Sequence, residues 1–371
     1  MDFSKILNPT SSTLVQHRTQ DVKAIIPKQF NGIVVVGDVP YDSTSGLPFS
    51  NSPYGTLCGL SKKAGFDFEY GCIQTTILPY CPSKRVIKAE DRPAVLAGIE
   101  RLQQLCVDHP VKVILILGRQ TLKAIKGPGA DIDGQRGFPF VWNKTICLAS
   151  YSPMELYIKW KFYNVVVNDM SKAVKYSIHG WEEPKYNINF QPTFSECVHF
   201  LKRCINERPY LAMDLETDIM PNGRGIITCC GFGINKTSAF VIPMIKAGNK
   251  PYFDIGQEMV VLRLMAEVLE TCSFVGQNAC HYDHWFLAYW YGILLNLVDD
   301  TMIGCWEVYT ELLKSMAFQS SIYTDNTYHK DILKDARRGT IPRIEEFRYN
   351  GLDNVITLQC AKGVADDLKD L

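Results

Sequence analysis

The stretch YLAMDLET (Tyr210–Thr217) decides how the second half of this chain is read. Its residues alternate as a strand's do: Leu211, Met213 and Leu215 take one face, and Ala212, Asp214 and Glu216 the other. Two carboxylates at i and i+2 then project side by side and repel unless a cation lies between them. Taken alone, such a pair is most often only a polar strand end. GIITCCGFGI (Gly225–Ile234) and TSAFVIPM (Thr237–Met244) follow as two more strands. A helix (Gln257–Glu270), a short strand SFVG (Ser273–Gly276) and a helix from Asp283 to Tyr291 come next, and helices dominate thereafter. This order predicts a mixed sheet with helices packed on it.

Two later features share the acidic character. Asp283 opens the aromatic helix DHWFLAYWY, where on its own it reads as an N-cap. Tyr349 and Asp353 lie four apart in RYNGLDNVITLQC, so a helix would put them on one face.

The first half has a different rhythm. GIVVVGD (Gly32–Asp38), Cys72–Leu78, KVILILG (Lys112–Gly118) and TICLAS (Thr145–Ser150) read as strands, and Tyr54–Ala64, Arg92–Val107 and Arg119–Lys126 as helices between them. Alternation of this kind predicts a parallel sheet covered on both faces. GWEEP (Gly180–Pro184) marks the boundary between the halves.

Composition sets outer limits. A length of 371 residues suits two domains, and 46% hydrophobic with 21% charged residues is an ordinary globular balance rather than a disordered one. No apolar run reaches the roughly 18 residues of a membrane span, and MDFSKILNPTSS lacks the order of a secretory signal. Lys plus Arg equals Asp plus Glu at 39 each, so bulk positive charge does not hold this chain on nucleic acid, although a local or metal-mediated phosphate site stays open. Thirteen scattered cysteines without a CxxC pair read as reduced thiols in a cytoplasmic setting.

Taken together, AMDLETD, VGQNACHYDHWFL, DDTMIG, FQSSIYTDNTYHKD and YNGLDNVITLQC, in this order, resemble the DEDD superfamily of 3′–5′ exonucleases in its tyrosine-containing subgroup. The nearest likeness is to the proofreading domain of family A DNA polymerases, especially phage ones. The resemblance implies an RNase H-like mixed-sheet domain that hydrolyses 3′-terminal phosphodiesters of single-stranded DNA or frayed ends with two Mg²⁺ or Mn²⁺ ions. It implies Asp214, Glu216, Asp283 and Asp353 as ligands, Tyr349 as the group orienting the attacking water, and Thr217 and Asn278 as contacts to the terminal nucleotide. Asn278 and Asp283 differ by five positions where many relatives have four. Asp299 and Asp300 read as supporting residues, and His281 and His284 as packing or phosphate contacts, since imidazole is a poor magnesium ligand.

The first half resembles the uracil-DNA glycosylase superfamily, most of all its iron–sulfur branch. The likeness rests on Gly37–Phe66, ILILGRQTLKAI, GQRG and CLASYSPMELY. It implies a three-layer αβα domain with Asp38 as the water-positioning group, Phe49 as the base-stacking ring and Ser152 where relatives carry histidine. Thr stands where relatives read uracil with Asn, and no Cys precedes Cys58, so no iron–sulfur cluster is expected. The expectation is a domain that keeps the shape without the activity and holds DNA or a partner. The expected division is a tail (1–27), a glycosylase-like domain (28–156), a linker (157–185) and an exonuclease domain (186–371). Two other readings remain: a bifunctional glycosylase and exonuclease, and a non-catalytic replisome scaffold or the N-terminal part of a split family A polymerase, with a DNA polymerase subunit as its partner. The expected location is the cytoplasm, the host's if the chain is phage-encoded.

Overall fold

The computed structural model describes residues 21–42, 44–82, 85–328 and 342–369. Most of the tail expected at 1–27, and the end of the FQSSIYTDNTYHKD segment, lie outside the described residues. The chain divides into two compact units, Met1–Glu182 and Glu183–Leu371. Among the described residues no helix is long and apolar enough to cross a membrane.

The first unit runs β1 (Ile33–Gly37), α1 (Asn51–Ala64), α2 (Phe68–Gly71), β2 (Ile73–Thr76), α3 (Arg92–Asp108), β3 (Val113–Leu117), α4 (Arg119–Lys126), α5 (Ile132–Gln135), β4 (Pro139–Trp142), β5 (Thr145–Ser150), α6 (Pro153–Leu156) and α7 (Tyr163–His179). The sheet order is β2-β1-β3-β5-β4, with β2, β1, β3 and β5 parallel. Every residue of β1 and β3 is buried, as expected for strands covered on both faces. The all-parallel expectation needs one correction. PFVW (139–142) pairs antiparallel with β5, across a tight turn whose Asn143 and Lys144 both adopt positive φ.

The expected linker needs another. Residues 163–179 form α7, which packs on β3, β5 and α1. Its Asp169 reaches the interior, where it accepts hydrogen bonds from Arg136 Nε (2.9 Å), Arg136 Nη2 (2.5 Å) and Ser150 Oγ (2.6 Å). A stretch rich in aromatics is helical here because it completes the core rather than bridging two bodies.

The second unit runs β6 (Asn187–Asn189), α8 (Phe194–Glu207), β7 (Tyr210–Ile219), β8 (Gly225–Asn235), β9 (Ser238–Pro243), a small hairpin of β10 (Ile245–Lys246) and β11 (Lys250–Pro251), α9 (Ile255–Thr271), β12 (Ser273–Gly276), α10 (Asp283–Tyr291), β13 (Leu297–Asp300), α11 (Thr301–Val308), α12 (Met316–Tyr323) and α13 (Arg343–Lys369). Its six-stranded sheet has the order β13-β12-β7-β8-β9-β6 and is mixed. β12 runs parallel to β7, whereas β8 is antiparallel to both β7 and β9. Leu211, Met213 and Leu215 join a core with Phe200 and Leu201 of α8 and Val261, Met265 and Val268 of α9. The opposite face of β7, β8 and β9 is covered by α13. The alternation in β7 thus sends one set of side chains into the core and the carboxylates toward α13.

The Arg136–Asp169 pair is almost wholly out of water, at 2% and 0% exposure. Removing one partner strands a buried charge, which typically costs about 3–5 kcal/mol. Asp169→Ala should therefore lower the stability of the first unit by that order in urea unfolding; a loss below about 1 kcal/mol would contradict a buried pair.

Candidate functional site

β7 presents Asp214 and Glu216, both half-buried, on either side of the buried Leu215. From the other side α13 brings Glu346, Tyr349, Asn350 and Asp353, which recur on one face of the helix. The two elements engage directly: Asn350 Nδ2 donates to Asp214 Oδ2 at 2.8 Å and to the Asp214 carbonyl at 3.1 Å. The Tyr349 side chain is buried and hydrogen-bonded to Asp353, and its phenol is pushed up first by burial, then by the charge of Asp353, with Asp214 and Glu216 adding to it. A neutral Tyr349 hydroxyl thus stands among three carboxylates.

Asp283 arrives by a separate route. It is 4% exposed, and its Oδ1 accepts a hydrogen bond from the Leu215 amide at 3.0 Å, between the two strand carboxylates in sequence. Its carboxyl is raised to about 7, mainly by burial with Asp300 adding to it, against hydrogen bonds that favour the charge. The thiol of Cys230 is raised chiefly by burial and additionally by the charges of Asp283 and Asp214. The N-cap expected of Asp283 is not made by its side chain, which instead ties α10 to β7.

The remaining expected residues take supporting positions. Thr217 Oγ1 pairs with the Tyr282 hydroxyl at 2.5 Å, beyond a bulge that follows Glu216. Asn278 adopts φ 64°, and its amide donates to Asp300 Oδ1 at 2.9 Å. Asp300 also accepts from the amides of Cys280 (3.1 Å) and Met302 (2.9 Å), so one carboxylate staples the turn carrying the extra residue before Asp283. Asp299 accepts from Tyr210 Oη at 2.8 Å. His281 Nδ1 contacts Cys280 Sγ at 2.9 Å, and His284 packs edge-on against Trp285.

Sequence reasoning passed over Asn350, Glu346 and the organising part of Asp300. Glu346 is bound by Arg343 at 2.6 Å and by Thr228 at 3.4 Å. A usable signal existed: Glu346, Asn350 and Asn354 form a polar i, i+4 row in a helix that otherwise buries Phe347, Val355 and Ile356.

As placed, no three His, Cys, Asp or Glu side chains among the described residues are gathered closely enough to hold a metal ion. The donors that β7 and α13 themselves bring are nonetheless of the right type for a hard divalent cation, since they are carboxylate oxygens, while the Cys229 thiol opposite Glu216 is pushed up by burial and by the acids around it. A cation would have to draw these oxygens together.

In the first unit the three expected pocket residues serve the fold. Asp38 Oδ1 accepts from the Thr121 amide at 2.7 Å and Oδ2 from the Gln120 amide at 3.3 Å, at the start of α4, and burial raises its carboxyl. Gly118 permits this approach, for a Cβ there would lie 2.5 Å from the Asp38 carboxylate. Phe49 is buried, edge-on to Tyr41 and Phe68, and lines a cavity with Leu47, Tyr54, Tyr70 and Gln74. Ser152 caps α6 by accepting from the Glu155 amide at 3.3 Å.

No protein-family model and no curated protein matches this chain. Among solved structures it is similar to the catalytic core of RRP6 from Trypanosoma brucei, at 20% identity and a TM-score of 0.38 over 51% of each chain. It is also similar to Brucella melitensis NrnC with bound Mg²⁺, at 15% identity and a TM-score of 0.27 over 51% of this chain and 83% of that one. The chain thus spans about half the length of the RRP6 core it matches.

Asp283 supplies a pH test. Its folded value of about 7 lies above the ordinary 3.8, so the folded state holds a proton that the unfolded chain releases. Its contribution to stability is complete below about pH 4 and is lost as pH rises through about 7. The urea midpoint of the metal-free protein should fall over that window, and fall less in Asp283→Asn. Parallel pH profiles in the two proteins would contradict the assignment.

Proposed function

We propose that the second unit is a metal-dependent 3′–5′ exonuclease of the DEDD type acting on single-stranded DNA or frayed 3′ ends, in the manner of a proofreading nuclease. One observation carries the reading: α13 is bonded to Asp214 through Asn350, the buried Tyr349 feels the charges of Asp353, Asp214 and Glu216, and Asp283 is tied to the strand between Asp214 and Glu216. Phosphodiester hydrolysis needs a water made nucleophilic and a leaving oxygen whose charge is stabilised, and a pair of divalent ions supplies both when bound. Asp214, Glu216 and Asp353 would hold one ion, with Asp214 shared, and Asp283 would help to hold the second.

The chain's own groups do the rest. Burial and the neighbouring carboxylates favour the neutral Tyr349 hydroxyl, which would orient a water by hydrogen bonding. Thr217, fixed by Tyr282, and Asn278, fixed by Asp300, are the contacts for the terminal nucleotide. The acids also explain how a chain of zero net charge could take a polyanion: cations convert a repulsive surface into a phosphate-binding one.

The first unit is read as a glycosylase-like domain without base-excising activity that holds DNA or a partner. Supporting this, Asp38 and Ser152 are spent on helix starts. A DNA polymerase subunit is the partner we propose.

The test uses a 5′-labelled single-stranded oligonucleotide with Mg²⁺, as DNA and as RNA. Wild type should shorten the DNA stepwise from its 3′ end. Asp214→Ala should slow this by roughly 10²–10³-fold or more. Intact substrate with wild type, or equal rates for wild type and variant, would contradict the reading; faster shortening of RNA would overturn its DNA preference.

A further inference from the structure

Asn350 follows Tyr349 on α13 and is wholly buried. Both hydrogen bonds from its Nδ2 go to Asp214, one to the carboxylate and one to the main-chain carbonyl. This fixes the orientation of the amide, because a flip would set its oxygen against two acceptors. Asn350 Oδ1 is left without a hydrogen-bond partner, a cost the fold tolerates at this position.

The surrounding backbone is built around this contact. Gly231 of β8 lies directly opposite Asp214 in the antiparallel register. A Cβ at Gly231 would come within 2.0 Å of Asn350 Oδ1 and 2.3 Å of Asn354 Nδ2. A Cβ at Gly233 would come within 2.6 Å of the Asn354 carbonyl. Neither glycine is among those with positive φ, so what they supply is closeness rather than an unusual backbone conformation. They let α13 ride low enough on β8 for a short amide to reach across to Asp214.

We propose that Asn350 is the positioning residue for Asp214, holding its carboxylate in the plane and rotamer in which it takes a divalent cation; this rests on the nuclease reading above. The side-chain type suits the task. A neutral donor orients a carboxylate without neutralising it, whereas lysine or arginine would compete with the cation, and aspartate would repel its neighbour. Glutamine carries one more methylene than the space against Gly231 admits.

The experiment is a Mn²⁺ titration of the full chain, with free Mn²⁺ read by its electron paramagnetic resonance signal and folding followed by thermal unfolding. Asn350→Ala should bind Mn²⁺ about 10–100-fold more weakly than wild type, the range seen when groups supporting metal ligands are removed. Gly231→Ala, which displaces the same amide from outside, should weaken binding in the same direction. Asn354→Ala, whose amide bonds only the Asn350 carbonyl, should lower the melting temperature while keeping affinity within about threefold of wild type. Should Asn350→Ala fail to fold, Asn350→Ser carries the same comparison. Wild-type affinity in Asn350→Ala, or equal losses in all three variants, overturns the positioning role and leaves the nuclease reading standing. A wild-type chain that binds no Mn²⁺ overturns both.

Discussion

The second unit depends on one close approach, that of α13 to the backbone of β8 at Gly231 and Gly233. Raise the helix by the radius of a methyl group and Asn350 no longer reaches Asp214, while Tyr349 and Asp353 leave the strand carboxylates. The approach is bought with unfavourable terms: half-buried carboxylates facing one another, and amide oxygens of Asn350 and Asn354 without partners. The apolar core beneath the sheet offsets them. Leu211, Met213 and Leu215 lock β7 from below through Phe232, Phe274 and the residues of α8 and α9, so the acidic face is displayed by a strand that cannot turn over without exposing its core side.

The two units use their polar residues in opposite ways. In the first, Asp38, Ser152 and Asp169 are consumed by helix starts and by a buried ion pair. In the second, Asp300 does comparable structural work, holding three amides, and so leaves Asp283 to reach β7. Two adjacent motifs that are both acidic in sequence thus divide into a stapling group and a group at the seam.

How much was legible follows from the range of each signal. The alternation in YLAMDLET is a local property and correctly gave the two faces of β7, because the core side is purely apolar. The four-residue spacing of Tyr349 and Asp353 likewise survives, since helical geometry is local. Less visible were features set by distant contacts. β4 is a four-residue strand defined by pairing with β5. α7 looked like a connector because its defining partner, Arg136, lies 33 positions away. Asn350 was passed over because its depth is set by a close approach to Gly231, a residue of another element. Phe49, which the resemblance makes the base-stacking ring, packs edge-on to Tyr41 and Phe68, contacts from distant positions that the sequence does not announce.

Under the proposed nuclease reading, the oxygens around Tyr349 come together on divalent ions. Anomalous diffraction from crystals of the chain grown with Mn²⁺, collected at the manganese edge, tests this most directly. Strong peaks ligated by Asp214, Glu216 and Asp353, with Asp283 beside them, are the expected result. Well-ordered density for the four acids with no anomalous peak among them would contradict it.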